Sequence, residues 1–429
     1  MELNRIDNNN VTNSPFRTGG ARGGLEAIKD MCFIWWDEMK QVVKDEGVLI
    51  FFILVPLLYP LLYSWIYNNE VVREVPVVVV DDCHSPLSRQ FIRQCDASPD
   101  VKVLSYAADM DEAQSLLSRQ VARGIYYIPS DFETRINRME QATVGVYCDM
   151  SLMLAYKAIY MTARLVSLEM GADIQTKLGQ HFTTRDEQIA AKPLQAEEVA
   201  MYNPTGGYGS FIIPAVLILI IQQTLVLGIG LSAGTARERN RYRNLIPISR
   251  HYNGMFRIVG GKALCYFMIY AVLTAYLVLV VPRLFGFTSI GRWDQLAVFL
   301  LPYLLDCIFF GMVVSCMVRY RENVMLLVVF ISIPLLFLTG VSWPQSSIPG
   351  FWQGISWLFP STFGVRGFIR INEMGGTLSD VLPEYQVLWV QGLIYFIIAC
   401  LVYRYQIFLA RQDARERLSN IQQASSQEE

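Results

Sequence analysis

The chain has 429 residues, 53% of them hydrophobic and 17% charged, with a formal net charge of −2. The charged fraction lies below the quarter that is typical of soluble proteins, and a charge this close to zero argues against nucleic acid as a partner. Because the apolar residues are clustered along the chain, we expect several membrane spans beside a water-soluble region.

The segment 1–47 precedes the first long apolar run and is mostly polar. It has no short apolar core followed by a small-residue cleavage site, so no cleaved signal peptide is expected. Within it, residues 25–44 place apolar side chains at helical spacing, namely Ile28, Cys32, Trp35, Met39 and Val42. This pattern predicts an amphipathic helix that lies in the membrane interface or packs on a partner protein, and both alternatives remain open.

Long apolar segments follow, and a spanning helix needs about 20 mostly apolar residues. The sequence predicts an α-helical membrane protein with six spans, at 48–67 (TM1), 208–233 (TM2), 263–281 (TM3), 296–318 (TM4), 324–341 (TM5) and 386–408 (TM6). An even number of spans places both termini on one side of the membrane.

The distribution of lysine and arginine chooses that side, because short cytoplasmic loops carry an excess of both. The segment 1–47, the loop 234–262, the turn after TM4 and the tail 409–429 are rich in these residues, and the opposite short loops have fewer. We therefore predict a multi-pass protein of the bacterial cytoplasmic (inner) membrane with both termini in the cytoplasm. The segment 68–207 then lies outside.

That outer segment alternates strand-like and helix-like stretches, which predicts an extracytoplasmic α/β domain. Val75–Asp82 is rich in β-branched residues and suits a buried strand, and Ser85 is placed to cap the next helix. Further strands are expected at VKVLSYA, GIYYIP and VGVYCD, with one helix ending at Gly124 and another over Met150–Gln180. The order of these elements predicts a mixed or parallel sheet.

The sequence contains little that would support catalysis. Asp81, Asp82 and His84 stand together, but acidic residues at a strand end commonly form a turn or cap the following helix. No GxSxG or HExxH motif occurs, and the cysteines lack metal-type spacing. We therefore expect neither an enzyme nor a metal site. A Cys83–Cys95 disulfide is left open.

The segment 342–385 is broken by Pro and Gly, yet it is rich in Trp and Phe. Its pieces PGFWQGISWL and STFGVRGFIRI are each too short to cross a membrane. Non-helical backbone at membrane depth is tolerated only where it is buried in protein or lines a cavity. We therefore predict a re-entrant hairpin between TM5 and TM6, with prolines at the ends of its pieces and Trp side chains in the interface.

The stretch LTGVSWPQSSIPGFWQGISWLFPSTFGVRGF resembles the signature of the membrane subunits of type-2 ABC exporters, the ABC-2 permease family. The shared features are a Gly–x–x–x–Pro turn, a second Pro, an aromatic residue, Pro–Ser and a closing Arg: Gly340, Pro344, Pro349, Trp352, Pro360, Ser361 and Arg366. The IP–x–x–F element at 128–132, the stretch YNPTGGYGSFIIPA and the basic loop after TM2 are similar too. The resemblance covers essentially the whole chain and points to the branch with a large exported domain.

The resemblance implies a half-transporter. Two permease subunits, identical or different, would flank a translocation path, and ABC ATP-binding subunits would dock below them. The sequence has no GxxxxGK[ST] loop, so no cofactor is expected in this chain, and ATP–Mg would be bound by the partner ATPase. Whether a periplasmic adaptor binds the exported domain is left open.

The resemblance also implies a coupling helix in the loop 234–262. Its expected contacts with the ATPase are Glu238, Arg239, Arg241, Tyr242, Arg243 and Asn244. Considered without the resemblance, the same residues form an ordinary basic cytoplasmic loop.

Polar residues inside the predicted spans are candidates for the translocation path: Gln222, Gln223 and Asp306. A carboxylate at the centre of a span costs about 2.5–3.5 kcal/mol, so Asp306 should face the protein interior and have a partner. Hydrogen bonds between helices are the competing explanation for all of them.

The predicted function is ATP-driven export by a permease subunit, and the aromatic residues in TM2 and TM5 fit a hydrophobic, lipid-like or drug-like cargo. The alternative is a membrane-anchored extracytoplasmic sensor or receptor without transport activity. The tail after TM6 is short for the output domain that a sensor would need.

Overall fold

The computed structural model describes residues 21–68, 71–178, 201–203, 206–239, 245, 254–318 and 320–425. The chain divides into two compact units. The helical unit comprises Met1–Asn68 and Tyr202–Glu429, and the α/β unit comprises Asn69–Met201.

Six helices in the described part of the chain are long and apolar enough to cross a membrane, as predicted. They are TM1 Glu46–Ile66, TM2 Tyr208–Glu238, TM3 Met255–Phe285, TM4 Trp293–Met317, TM5 Arg321–Leu338 and TM6 Leu382–Leu409. One further helix, α1 (Ala21–Lys44), precedes TM1. The helix of TM6 continues to Ser425, so much of the segment assigned to the tail is helical.

TM2 is the central helix of the helical unit, since 89% of its most apolar stretch is buried, against 17% for TM5. Small residues allow its neighbours to approach closely. A Cβ atom at Gly228 would lie 1.5 Å from the ring of Phe52 in TM1, and one at Gly230 would lie 2.4 Å from Val324 in TM5. The two glycines therefore fix how TM1 and TM5 pack on TM2.

TM1 and TM3 each contain a π-helical segment, Ile50–Leu54 and Tyr276–Val280. Such segments interrupt the regular packing of a helix. The hydroxyl of Tyr276 donates a hydrogen bond to the carbonyl oxygen of Leu57 at 3.0 Å. The irregular part of TM3 is thereby joined to TM1.

The α/β unit contains one four-stranded sheet in the order β2-β1-β3-β4. Its strands are β1 (Val75–Asp81), β2 (Val101–Tyr106), β3 (Gly124–Ile128) and β4 (Gly145–Cys148). Its helices are α2 (Pro86–Asp96), α3 (Met110–Ser118), α4 (Phe132–Asn137) and α5 (Met153–Leu178). β1 pairs in parallel with β2 and β3, and β4 is antiparallel to β3.

The central strand β1 is buried on both faces, which explains its run of valines. Val77 and Val79 belong to one apolar cluster, which includes residues of α2 and α5. Val78 and Val80 belong to the cluster on the other face, which includes residues of α3. The sheet is therefore a middle layer between helices.

The acidic end of β1 forms a hydrogen-bonded turn. Asp81 accepts hydrogen bonds from the backbone N–H groups of Cys83 and His84 and from the Ser88 hydroxyl. Ser85 caps α2 as predicted, because its side chain accepts from the N–H of Ser88. The thiol of Cys83 is unbridged, as are those of Cys95 and Cys148, so the Cys83–Cys95 disulfide is not formed.

Short helices occupy the segment between TM5 and TM6. A 3-10 turn at Gln345–Ser347 is followed by α6 (Gly350–Ser356) and α7 (Pro360–Asn372). Pro at the first position of a helix costs no hydrogen bond and pre-sets φ, which explains why α7 begins at Pro360. We call α6 and α7 the hairpin helices.

Candidate functional site

The predicted coupling segment follows TM2. The helix of TM2 ends at Arg239, and Glu238 beside it is exposed to solvent. The remaining predicted contact residues lie outside the described residues: Arg241, Tyr242, Arg243 and Asn244. The structure does define the two flanks of this segment, which are the end of TM2 and the start of TM3.

A buried acidic residue of α1 holds both flanks. Glu38 has 0% exposure, and its carboxylate accepts hydrogen bonds from the Ser232 hydroxyl at 3.0 Å and from the Lys262 ammonium at 2.6 Å. The Tyr266 hydroxyl also donates to this carboxylate. Ser232 lies near the end of TM2, and the other two donors lie in the first turns of TM3. We call these four residues the Glu38 cluster, and it joins α1, TM2 and TM3.

The Glu38 cluster is an ion pair with its own hydrogen-bond donors. Burial opposes ionisation of Glu38 most strongly, yet the Lys262 ammonium and two hydroxyl donors together hold the pKa of its carboxyl below the ordinary value. A buried charge pair is tolerated when additional hydrogen bonds satisfy it. Removing either charge would leave the other buried and unpaired.

A second acidic residue, Asp45, stands between α1 and TM1. Its carboxylate accepts from the Thr235 hydroxyl in TM2 at 2.7 Å and from the Arg321 guanidinium in TM5 at 2.9 Å. It also accepts hydrogen bonds from the backbone N–H groups of Gly47 and Val48 and so caps the first turn of TM1. We call Asp45, Thr235 and Arg321 the Asp45 cluster. This cluster joins TM1, TM2 and TM5.

Two arginines complete the attachment of the flanks. Arg257, at the start of TM3, forms an ion pair with Asp30 of α1 at 2.5 Å. Arg237, near the end of TM2, is 7% exposed and donates hydrogen bonds to the carbonyl oxygens of Cys316 and Val318 at the end of TM4. Arg237 belongs to the loop 234–262 that was predicted as basic and cytoplasmic, but in the structure it forms a buried helix-to-helix contact.

Sequence reasoning missed these clusters, although α1 carries a signal for one of them. Ile34, Glu38 and Val42 lie four residues apart, and all three have 0% exposure, so the buried stripe of α1 runs through the carboxylate. In contrast, Ile28 and Cys32 of the predicted apolar stripe are exposed. An acidic residue flanked at helical spacing by apolar ones marks such a site, but nothing in the sequence names its partners.

Side-chain hydrogen bonds attach the hairpin helices to TM2 and TM6. The amide oxygen of Gln222 in TM2 accepts from the backbone N–H of Ser361 at 2.6 Å. The hydroxyl of Tyr395 in TM6 donates to the carbonyl oxygen of Leu358 at 2.5 Å. Gln222 thus makes an inter-helix bond, the competing explanation for this residue.

Glycines bring α7 against TM4. A Cβ atom at Gly364 would lie 2.4 Å from the ring of Tyr303, and one at Gly367 would lie 2.2 Å from the ring of Phe299. Both rings have 0% exposure, and the Tyr303 hydroxyl donates to the carbonyl oxygen of Ile218 in TM2 at 2.7 Å. These rings therefore have little freedom to move away from α7.

Arg366 attaches α7 to the end of TM5. Its Nε donates to the carbonyl oxygen of Thr339 at 3.3 Å, and its guanidinium carbon lies 5.9 Å from the ring centroid of Phe363. The neighbouring Gly340 has φ of +89°, a conformation that favours glycine. The turn after TM5 therefore requires Gly340 and is held by Arg366.

The other predicted hairpin residues lie at the ends of its pieces or on its surface. Pro344 precedes the 3-10 turn and Pro349 precedes α6. Trp352, in α6, is 50% exposed. Entry of this segment into the membrane stays a prediction.

Asp306 faces the protein interior, as predicted, with 0% exposure. The expected partner is missing, because neither carboxyl oxygen has a hydrogen-bond partner among the described residues. TM6 comes close at Gly392, where a Cβ atom would lie 3.5 Å from the Asp306 Cβ. The remaining path candidate, Gln223, is half-buried. Because both carboxyl oxygens of Asp306 lack a partner, neither Gln222 nor Gln223 donates a hydrogen bond to this residue.

The charged clusters and the hairpin contacts connect helices to one another, and in the part of the chain that the structure describes no group of three or more His, Cys, Asp and Glu side chains could hold a metal ion. A force applied at the end of TM2 would reach α1, TM3, TM4 and TM5 through buried polar contacts.

Comparisons with known proteins identify a family and related permeases. Residues 47–401 match the sequence profile of the family described as ABC-2 family transporter protein. The linearmycin resistance permease protein LnrN of Bacillus subtilis (strain 168) is 23% identical over 357 residues, which cover 79% of this chain and 90% of that protein. The probable multidrug ABC transporter permease YbhR of Escherichia coli (strain K12) is 22% identical over 353 residues, which cover 78% of this chain and 86% of that protein.

Proposed function

Since this chain belongs to the ABC-2 family of transporter proteins, we propose that it is the permease subunit of an exporter driven by a separate ATPase. Permeases of this family generally work with ATP-binding subunits and are generally not enzymes themselves. The proposed cargo is a hydrophobic, lipid-like or drug-like molecule. The names of the relatives, one a linearmycin resistance permease and one a probable multidrug permease, support this cargo class.

The attachment of both flanks of the coupling segment is the observation that carries the proposal. The end of TM2 is bound through Ser232 and Thr235, and the start of TM3 is bound through Lys262. A helix pair held in this way moves as a rigid body when its connecting segment is displaced. ATP binding in a partner can therefore be converted into a movement of several spans.

The ATPase would contact the segment between these flanks. We assign the contact to Glu238, Arg239, Arg241, Tyr242, Arg243 and Asn244. Glu238, the one side chain of the set that the structure describes, is exposed and available for such a contact. ATP–Mg would be bound by the partner.

The proposed topology follows from the coupling assignment. The coupling segment, α1 and both termini lie in the cytoplasm, and the protein lies in the bacterial inner membrane. The α/β unit and the hairpin helices then lie on the outer side, with the hairpin re-entering the membrane. A second permease subunit, identical or related, completes the path, and the α/β unit offers a surface for a periplasmic adaptor.

The alternative, an extracytoplasmic sensor without transport activity, is not favoured, because the curated relatives are permeases by name. A sensor would also need an output element.

Charge reversal in the coupling segment tests the proposal. Arg239→Glu combined with Arg241→Glu should lower co-purification of the cognate ATP-binding subunit at least tenfold, because basic side chains that contact the partner would become repulsive. The matched control is Arg404→Glu, which reverses an exposed arginine of TM6 and should leave the complex intact. Co-purification equal to that of the wild type would contradict the coupling assignment.

Asp306 provides a second test, because a buried polar group without a partner lowers stability and calls for an explanation. Asp306→Leu removes this cost and should raise the Tm of the purified subunit by about 2–4 °C. If Asp306 lines the path, the same substitution lowers transport. Asp294→Leu, which removes an exposed ion pair of TM4, should not raise the Tm. A fall in Tm for Asp306→Leu would show that the carboxyl group has a stabilising partner.

A further inference from the structure

A cavity of about 430 Å³ lies between the end of TM3 and the start of TM4. It is separate from the coupling flanks and from the hairpin contacts described above. TM3 ends at Phe285 and TM4 begins at Trp293, so the cavity lies where two spans leave the membrane. The cavity therefore lies at a membrane–water boundary, and this conclusion does not depend on which side of the membrane the ends of TM3 and TM4 face.

Backbone hydrogen bonds fix the loop that lines one side of the cavity. Gly286 caps the C-terminal end of TM3 with φ of +70°, and the N–H of Phe287 donates to the carbonyl oxygen of Pro282 at 3.0 Å. The N–H groups of Ile290 and Gly291 both donate to the carbonyl oxygen of Asn372, at 2.8 and 2.9 Å. The loop 286–292 is thereby fixed on the end of α7.

The cavity combines an apolar wall with positive charge. Val278, Leu279 and Leu296 contribute apolar surface, and Arg283 and Arg292 stand at its polar side. The size lies within the range of ligand sites, which are mostly apolar with a few well-placed polar groups. This combination fits a ligand that has an apolar chain and an anionic head.

The two arginines are not equivalent. Arg292 forms an ion pair with Asp294 at 2.9 Å, which neutralises it. Arg283 makes no ion pair with any residue that the structure describes. The cavity therefore has one uncompensated guanidinium group, the side chain that best matches the geometry of a phosphate.

Exposed apolar residues beside the cavity indicate contact with lipid. Leu284 is 64% exposed, Ile290 is 57% exposed and Trp293 is 73% exposed. Trp is enriched where spans meet the headgroup layer. An acyl chain could therefore follow this surface while its headgroup enters the cavity.

We propose that this cavity binds the phosphate headgroup of an anionic phospholipid of the surrounding bilayer, with Arg283 as its main ligand. The exposed side chain of Leu279 contacts the upper part of the acyl chains. Leu279 belongs to the π-helical segment of TM3, so the bound lipid supports the irregular turn of that span.

Lipid enrichment around the full-length protein tests the proposal. The protein is reconstituted into phosphatidylcholine vesicles that contain a trace of labelled phosphatidylglycerol, and the label retained after mild detergent extraction is measured. Arg283→Gln should reduce retention at least fivefold. Arg404→Gln, a control in TM6 with an exposed guanidinium, should leave it unchanged. Equal retention by wild type and Arg283→Gln would overturn the proposal.

Two further variants keep the test decisive if Arg283→Gln fails to fold. Arg283→Lys keeps the charge without the planar fork and should retain an intermediate amount of label. Leu279→Trp fills the apolar wall without changing any charge and should reduce retention about as much as Arg283→Gln. If both variants retain the label like the wild type, the site is not a lipid site.

A competition experiment separates the possible sources of the anion. Inorganic phosphate at about 10 mM, roughly ten times the Kd of a weak site of about 1 mM, should not displace the labelled phosphatidylglycerol, because it lacks the acyl chains. Displacement by phosphate alone would show a free-anion site and would contradict the lipid assignment.

Discussion

Glu38→Gln should lower the stability of the purified subunit by about 3–5 kcal/mol, because it leaves the Lys262 ammonium buried without its counter-charge. Lys262 is 7% exposed as a side chain and Glu38 is 0% exposed, so water cannot replace the lost partner. We expect a lower yield of folded protein and a fall in Tm of several degrees, measured by thermal unfolding in detergent. The loss is large because two helices and α1 share this one carboxylate.

A matched control separates the effect of burial from the loss of a charge on α1. Glu26→Gln is the same substitution on the same helix, at an exposed position, and it should change the Tm by less than about 1 °C. The double variant Glu38→Gln with Lys262→Met should recover much of the lost stability, since both charges are then absent. A double variant no more stable than Glu38→Gln alone would mean that the ion pair is not the stabilising contact.

The pH dependence of the same pair has a definite sign. The pKa of Glu38 is lowered in the folded protein from an ordinary value of 4.5. A carboxyl group with a lowered pKa contributes stability above its unfolded pKa, and that contribution disappears as the pH falls through the lowered value. The difference in Tm between wild type and Glu38→Gln should therefore be constant from pH 8 to pH 6 and shrink only in strongly acidic buffer.

The spans could be predicted from the sequence because each is a long apolar run between polar segments. TM1 and TM4 show this clearly, since their predicted and observed limits differ by only a few residues. The strands of the α/β unit were visible for a related reason: the valines of β1 are β-branched and uninterrupted. The location of spans and strands can therefore be read from local composition.

The contacts of the candidate site could not be predicted, because they join residues that are distant in the chain. Asp45 and Arg321 are 276 residues apart, and Arg321 looked like one more basic residue of a cytoplasmic turn. For Asp306 the prediction was half right. Its burial was predicted, but the partner that a buried charge normally requires is absent among the described residues.

The segment that contains the hairpin helices has features that the sequence predicts and features that it does not. Pro349 and Pro360 stand at the starts of α6 and α7, and proline chemistry alone predicts such positions. The role of Gly364 and Gly367 was not visible, because a glycine in a helix is informative only when the surface opposite it is known. Here that surface is a pair of aromatic rings of TM4.

Gly367→Ala should therefore destabilise the subunit by about 1–3 kcal/mol, the usual cost of overfilling a packed site. The new Cβ atom would lie 2.2 Å from the Phe299 ring, so α7 has to move away from TM4. Gly364→Ala meets the Tyr303 ring at 2.4 Å and should have a similar effect. Because α7 is bound to TM2 and TM5 as well, we expect the transport rate to fall by a larger factor than the loss of folded protein alone would explain.

Gly354→Ala in α6 is the matched control, since a Cβ atom there has no heavy atom within 4 Å. In a helix this substitution should raise stability by about 0.5–1 kcal/mol, so the two alanine variants are expected to change the Tm in opposite directions. Combining Gly367→Ala with Phe299→Leu shortens the opposing side chain and should restore part of the loss. A Tm for Gly367→Ala equal to or above that of Gly354→Ala would show that α7 does not pack on TM4 at this distance, and the proposed hairpin would lose its support from that span.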